Sequence, residues 1–191
     1  MYLIVGLGNP DKKYEHTRHN VGFDVLSVLS TKLNIPITKS RGKALVGEGV
    51  IGNEKIVLAA PQTYMNLSGE AVVALMNWYK VDAAHVLLIY DDVDLPEGQL
   101  RIRREGSAGT HNGMRNIVAL TGNQNFPRIR VGISVPRNPD YQLRDFVLGK
   151  YTTKKERETM YGAFLNAADA AVTIVTSGID KAMAQYNVKP R

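Results

Sequence analysis

The apolar positions of this chain follow two spacings, one typical of strands and the other of helices. Short runs of branched apolar residues stop at turn residues and predict buried strands at Tyr2–Leu7 and Val86–Tyr90. Between them, apolar residues recur at three- and four-residue steps, which predicts a helix over Val21–Leu33. Strands therefore alternate with helices from the start of the chain.

The remaining segments continue this mixture. Two apolar runs, Ala44–Ile51 and Lys55–Ala60, flank Gly52-Asn53-Glu54, which predicts a hairpin. A capping box, Thr153-Lys-Lys-Glu156, opens a long helix that ends before Gly178. The other predicted elements are helices at Ala71–Tyr79, Arg115–Leu120 and Ile179–Tyr186, and strands at Leu100–Arg104 and Arg128–Ser134.

The order of these elements predicts the fold class. Alternation of strands and helices favours a three-layer α/β/α architecture, and the hairpin makes its sheet mixed rather than purely parallel. No internal repeat and no linker-like composition interrupts the chain. We therefore expect residues 1–191 to form a single α/β domain with a mixed, mostly parallel sheet.

Composition narrows the possible classes of protein. With 44% hydrophobic residues the chain can build a sizeable core, and without cysteine it has no disulfides or thiolate metal ligands. No apolar run approaches the roughly 20 residues that a membrane-spanning helix needs. The first residues lack the basic region of a signal peptide. We therefore expect a cytoplasmic protein that does not bind membranes.

The positive charge is concentrated in one part of the chain. The net charge is +6, and residues 100–144 alone hold 8 arginines and only 2 acidic residues. Arginine binds phosphate through a planar fork, so this segment indicates a nucleic-acid partner. Arg101 and Arg103 alternate with apolar residues and should share one strand face, which Arg130 on another strand can extend. The alternative is a solvated basic face that only aids solubility.

Several common motifs are absent or incomplete. Gly6-Leu7-Gly8 follows a strand, but Asp11 stands where a dinucleotide-binding loop has its third glycine. Neither a P-loop nor the G-x-S-x-G motif of serine hydrolases occurs. His16 and His19 are three residues apart and could share a metal, but neither H-E-x-x-H nor H-x-x-E-H occurs and no third ligand is evident nearby, so we expect no metal.

Five polar residues mark a candidate site. Asn9 and Asp91 follow predicted strands, and His19, Asn66 and Asn112 precede or open predicted helices. In open α/β sheets, ligands bind at the carboxyl ends of strands, so one cleft can hold all five. Four of the five also have a structural explanation, because Asn66 and Asn112 can be helix caps and Asn9 and Asp91 can be turn residues.

These residue types permit the activation of water. A neutral histidine can take a proton from water near pH 7, and a carboxylate on its other ring nitrogen fixes the tautomer. Asp91 is the candidate partner of His19. Asparagine amides can donate hydrogen bonds to an oxyanion. Without a serine or cysteine in the set, the site suggests a hydrolase that forms no covalent intermediate.

The same segments carry a family resemblance. The chain resembles bacterial peptidyl-tRNA hydrolases in Val5–Pro10, Tyr14–Gly22, Pro61–Gly69, Asp91–Pro96, Gly109–Gly113 and Phe126–Gly132. These segments occur in family order and span the predicted core.

The resemblance implies a specific activity, which is cleavage of the ester between a peptide and its tRNA. It implies a single α/β domain that is usually monomeric, needs no cofactor and acts on RNA rather than DNA. It also implies roles for individual residues: His19 as catalytic base, Asp91 as its support, Asn9 as the sensor of the blocked peptide end, Asn66 and Asn112 as substrate-binding amides, and Tyr14 and Tyr64 as contacts to the tRNA 3′ portion.

Two departures affect these roles. Many relatives have Phe where Tyr64 stands, so the resemblance implies no role for its hydroxyl. Asp92 is often Glu in relatives, which favours Asp91 as the partner of His19.

Two other functions stay open from the residues alone. A non-catalytic nucleic-acid-binding module needs the arginines but not His19 with Asp91. A small-molecule amidase or deacylase needs the site but not the arginines.

Overall fold

The computed structural model describes residues 1–135 and 142–187. Its strands are β1 (Tyr2–Gly6), β2 (Lys39–Arg41), β3 (Ala44–Ile51), β4 (Glu54–Pro61), β5 (Val86–Asp92), β6 (Leu100–Arg103) and β7 (Arg128–Gly132). Its α-helices are α1 (Val21–Leu33), α2 (Ser68–Tyr79), α3 (Asn112–Thr121), α4 (Leu143–Val147), α5 (Lys154–Ser177) and α6 (Ile179–Tyr186).

All seven strands form one sheet in the order β2-β3-β4-β1-β5-β7-β6. The four central strands, β4, β1, β5 and β7, are parallel to one another. The pairs β2–β3, β3–β4 and β6–β7 are antiparallel. The expected mixed sheet is confirmed, with its parallel part confined to the centre. Parallel neighbours need long crossovers, whereas the β3–β4 hairpin is closed by a short turn.

Helices cover both faces of the sheet, which confirms the three-layer arrangement. On one face, Leu26 of α1 and Ala168 of α5 belong to the same buried cluster as Ile89 of β5. On the other face, Leu75 of α2 and Ile117 of α3 pack in a second cluster with the central strands. In the described part of the chain, no helix combines the length and apolarity required to cross a bilayer.

Several predicted elements have the observed bounds, and others differ at their ends. The helices Val21–Leu33 and Ile179–Tyr186 are confirmed residue for residue. Thr153 caps α5 by accepting the N–H of Glu156, as the capping box predicts. Strand β5 is longer than predicted, because its last two residues pair with Val131 and Gly132 of β7. Asp91 therefore lies inside the strand and not in the turn after it.

Two glycines bring α1 unusually close to the sheet. A Cβ atom on Gly6 would lie 2.2 Å from the carbonyl oxygen of Gly22, and one on Gly22 would lie 2.3 Å from the backbone nitrogen of Leu7. Neither position can accept a side chain without moving the backbone. This contact sets the start of α1, and the residues just before it, against the carboxyl end of β1.

Candidate active site

A cavity of about 750 Å³ opens at the carboxyl ends of the central strands. The parallel arrangement of β1 and β5 ends both strands at this edge, as expected for a ligand site in an open α/β sheet. Eight of the ten residues predicted from the sequence line it, namely Asn9, Tyr14, His19, Tyr64, Asn66, Asp91, Asn112 and Arg130. Arg101 and Arg103 do not line it.

His19 and Asp91 form a short, buried pair in this cavity. His19 lies in a 3-10 turn that precedes α1, and its Nδ1 is 2.8 Å from Oδ2 and 3.0 Å from Oδ1 of Asp91. An ionised carboxylate can only accept, so Nδ1 carries the proton that is donated. The Nε2 atom of a neutral His19 is therefore left with a lone pair.

The charges of the pair shift both pKa values. Burial lowers the pKa of His19, but the charge of Asp91 and the hydrogen bond to it outweigh burial and raise the pKa above its usual value. Burial raises the pKa of Asp91, but His19 and His111 outweigh this and hold it well below its usual range. Asp91 is therefore a permanent anion beside His19.

His111 is a third member of this cluster, although the sequence analysis did not place it among the site residues. Its Nε2 lies 3.0 Å from Oδ1 of Asp91, while its Nδ1 accepts the N–H of Met114 and caps α3. Because Nδ1 is an acceptor, the ring proton is on Nε2 and is donated to Asp91. Asp91 thus accepts one N–H from each of two histidines. Two sequence signals pointed to His111, its place just before a predicted helix and its position within the Gly109–Gly113 segment.

Asn9 is held so that only its amide nitrogen is available to a ligand. Its side-chain Oδ1 accepts the N–H of Met65 at 2.8 Å, and its backbone N–H and C=O both bond to Asn20. In the described structure its Nδ2 has no protein partner, although the residue is largely buried at the cavity wall. Asn9 therefore presents a hydrogen-bond donor.

Asn66 and Asn112 line the cavity but do not cap helices. The N-cap of α3 is His111, and Leu67 precedes the first residue of α2. Within the described residues, neither asparagine side chain forms a hydrogen bond. The cap explanation for both residues is therefore wrong, and their amides are available to a ligand.

The two predicted tyrosines both line the cavity. Tyr64 is half-exposed, and its hydroxyl donates to Oδ2 of Asp11 at 3.1 Å. This hydrogen bond and the nearby charge of Asp11 raise the pKa of Tyr64. The Tyr14 ring has the Nζ atom of Lys13 5.0 Å from its centre. Both rings offer flat surfaces beside the cavity.

The arginines form one face of the β6–β7 pair, as the alternation predicts. Arg101 lies opposite Arg130, and Arg103 lies opposite Arg128, so all four side chains leave the same face. Arg128 was not predicted, and it is buried with its guanidinium donating to the carbonyls of Phe126, Ser107 and Gln124. Burial lowers the pKa of Arg103, and the charges of Arg101 and Arg130 lower it further.

Arg130 joins this face to the cavity. Its guanidinium lies 3.1 Å from Oδ2 of Asp92, and it is part of the cavity wall. Arg101 and Arg103 lie beyond it along the same face. The basic face therefore begins at the cavity and continues away from it.

The side chains that could bind a metal ion are not the pair of histidines that the sequence suggested. His16 pairs with Asp24, with 2.9 Å between Nδ1 and Oδ1, and does not meet His19. Instead, one ligand atom each from His19, Asp91 and His111 lies within 4.8 Å of the others. Two N–H donors and one carboxylate account for these short distances as hydrogen bonds. A metal ion here would have to displace both ring protons.

The fold and the cavity together define a hydrolytic α/β enzyme with a histidine–aspartate pair. The profile of the family described as Peptidyl-tRNA hydrolase matches residues 3–191. The peptidyl-tRNA hydrolase of Agathobacter rectalis is 51% identical over 188 residues, which cover 98% of this chain and 100% of that protein. That of Roseiflexus sp. is 51% identical over 191 residues, covering 100% and 87%.

Solved structures agree with the sequence comparison. A crystal structure of peptidyl-tRNA hydrolase from Acinetobacter baumannii matches with a TM-score of 0.91 and 35% identity, covering 98% of this chain and 95% of that one. A complex of peptidyl-tRNA hydrolase with N-propanol gives a TM-score of 0.92. This chain belongs to the peptidyl-tRNA hydrolase family.

Proposed function

We propose that the protein hydrolyses the ester bond between an N-blocked peptide and tRNA, releasing the free peptide and tRNA. The observation that carries this proposal is the His19–Asp91 pair, which lies in the large cavity of a chain of this family. The arginine face beside the cavity favours a polyanionic substrate over a small amide or ester.

The pair suits His19 to act as general base. With Nδ1–H donated to Asp91, the Nε2 lone pair takes a proton from water as the water oxygen attacks the ester carbonyl. Asp91 stabilises the imidazolium that forms. When the tetrahedral intermediate collapses, the carbon–oxygen bond to the ribose breaks and His19 returns the proton to the leaving oxygen. No covalent enzyme intermediate is needed.

The amides are suited to binding the acyl part of the substrate. Asn9 presents Nδ2, a donor that fits the carbonyl of a blocked peptide end. Asn66 and Asn112 supply further amides at the cavity wall, and Tyr14 and Tyr64 supply rings for the 3′ end of tRNA. Arg101, Arg103 and Arg130 would then contact phosphates of the tRNA body.

The domain organisation, the oligomeric state, the location and the cofactor requirement are part of the same proposal. We propose that residues 1–191 act as one monomeric domain in the cytoplasm, without a cofactor and without a role in binding DNA. One sheet that contains all seven described strands supports the single domain.

Incubation with an N-blocked aminoacyl-tRNA and with its unblocked counterpart tests the function. We expect rapid release of tRNA from the blocked substrate and slow release from the free one. A purified protein that binds tRNA but leaves the ester intact would favour a binding module. Equal turnover of small N-acylated esters, with no dependence on salt, would favour a small-molecule deacylase.

A further inference from the structure

Arg18 joins two parts of the structure that are distant in sequence. Its guanidinium carbon lies 4.3 Å from the ring centre of Phe146 and 5.4 Å from that of Tyr151. Its Nη1 donates to the carbonyl of Phe146 over 3.4 Å, and its backbone N–H donates to the carbonyl of Gly149 at 3.0 Å. The side chain therefore contacts two rings of the segment that contains α4.

Gly149 packs closely against the Arg18 guanidinium. A Cβ on Gly149 would lie 2.9 Å from Nη1 of Arg18, so a side chain there would displace the guanidinium from its present position. The neighbouring residue Thr17 forms a β-bridge with Lys150. Arg18 itself is buried, and Glu156 lies 3.8 Å from its Nη2 as the nearest counter-charge.

The two parts that Arg18 joins are both walls of the active-site cavity. On one side, the next residue in the chain is His19. On the other side, α4 and the residue after it contribute Leu143, Arg144, Val147 and Leu148 to the cavity wall. The side chain of His19, however, is held by Asp91, which is held in turn by His111. Neither of these contacts involves Arg18 or α4.

We infer that Arg18 is a positioning residue, whose contacts with Phe146 and Tyr151 fix the α4 wall relative to His19 and so set the affinity for substrate. This inference rests on the proposed function of the cavity. Because the His19–Asp91 pair is held independently, displacement of α4 weakens binding and leaves the chemical step in place. A loss of uniform binding raises KM without lowering kcat.

Kinetics on an N-blocked aminoacyl-tRNA test this role. In Arg18→Met, which keeps the stem and removes the charge, we expect KM to rise at least about fivefold, as expected for one desolvated cation–π contact. We expect kcat to stay within about twofold and the pH–rate profile to keep its apparent pKa. Arg18→Lys keeps the charge without the planar fork, so its rise in KM should be smaller.

A second variant removes the same contact by changing its partner on α4. Phe146→Leu removes the ring beside the guanidinium and keeps an apolar side chain, and it should raise KM as Arg18→Met does. If one contact is responsible, the double variant should raise KM no more than the larger single effect. If Arg18→Met does not fold, the KM of Phe146→Leu still tests the positioning role.

The chain offers a matched control in Arg41. Its guanidinium also contacts two rings, 4.6 Å from the centre of Trp78 and 5.7 Å from that of Tyr79, and it pairs with Glu48. It does not line the cavity. Arg41→Met should therefore leave both KM and kcat unchanged, whatever it does to stability.

The outcomes separate this inference from the function on which it rests. An unchanged KM in folded Arg18 and Phe146 variants, or a fall in kcat at constant KM, would overturn the positioning role. The same rise in KM in Arg41→Met would also overturn it. A wild-type protein that leaves N-blocked aminoacyl-tRNA intact would instead refute the proposed function.

Discussion

Asn20 binds both backbone groups of Asn9. Its side-chain Oδ1 accepts the Asn9 N–H at 2.9 Å, and its Nδ2 donates to the Asn9 carbonyl at 2.9 Å. Both residues are largely buried. The loop after β1 is thereby joined to the turn that carries His19, and the side chain of Asn9 is aimed at the cavity.

Asn9→Ala should narrow the preference for blocked over free aminoacyl-tRNA. Nδ2 can donate to the carbonyl of a blocked peptide end, whereas a free ammonium group offers no acceptor there. One such hydrogen bond contributes about 0.5–1.5 kcal/mol, so the ratio of kcat/KM values should fall about two- to tenfold. The measurement compares both substrates. An equal loss on both would show that Asn9 only supports the backbone at Met65.

His19→Ala should abolish most turnover. General-base catalysis contributes roughly 10²–10⁴-fold, so kcat should fall by at least about 100-fold while KM changes little. His85 is the matched control, since it is exposed, pairs with Asp82 and lies outside the cavity. Its replacement by alanine should leave kcat unchanged. Near-normal turnover in His19→Ala would mean that His19 is not the base, and His111 would become the candidate.

Asp91→Asn should change the pH dependence of the reaction. The charge of Asp91 raises the pKa of His19, and a general base works only when it is unprotonated. Wild-type activity should therefore rise through a pKa above that of free histidine. In Asp91→Asn this limb should shift to lower pH, and kcat should fall about tenfold or more because the imidazolium loses its counter-charge. An unchanged profile would restrict Asp91 to a structural role.

Asp24→Asn should stabilise the protein near neutral pH. Burial raises the pKa of Asp24 to about 6, although His16 opposes the shift, and its Oδ2 is buried without a partner in the described structure. A carboxyl whose pKa is raised in the folded state contributes stability at low pH that is lost as pH rises through about 6. At pH 7.5 the variant should therefore gain about 1–3 kcal/mol in free energy of unfolding.

Denaturant titrations at two pH values check the effect at Asp24. At pH 4 the wild-type carboxyl is largely protonated, so the difference between the two proteins should nearly vanish. Asp169→Asn is the control, because Asp169 is exposed and pairs with Lys32 at the surface. It should change stability little at either pH. A gain at Asp24 that is equal at both pH values would exclude titration as its cause.

Arg103→Ala should weaken tRNA binding and flatten its dependence on salt. Each phosphate contact contributes roughly 0.7–0.9 to the slope of log affinity against log salt. Turnover of a short 3′-terminal fragment of the substrate should be unaffected, since Arg103 lies outside the cavity. Arg104 is the control, because it is exposed, follows β6 directly and pairs with Asp180. Equal effects on tRNA and fragment would place Arg103 in the active site instead.

Local pattern was sufficient for the helices α1, α5 and α6 and for the pairing of the catalytic groups. The three- and four-residue spacing over Val21–Leu33 predicts α1 because helical periodicity shows directly in sequence. His19 and Asp91 were predicted as a pair because their chemistry requires each other, and their places beside predicted strands and helices set them at one edge. The arginine face was predicted because alternation along a strand decides which side chains share a side.

Only the tertiary structure decided how these parts meet. The last residues of β5 become strand because β7 supplies hydrogen-bond partners, and His111 reaches Asp91 because α3 starts beside the end of β5. Arg18 contacts Phe146 across 128 positions of sequence. The short elements β2 and α4 carry too few residues to show a period. Such features depend on contacts between distant segments, whereas local spacing records only which side of one element is buried.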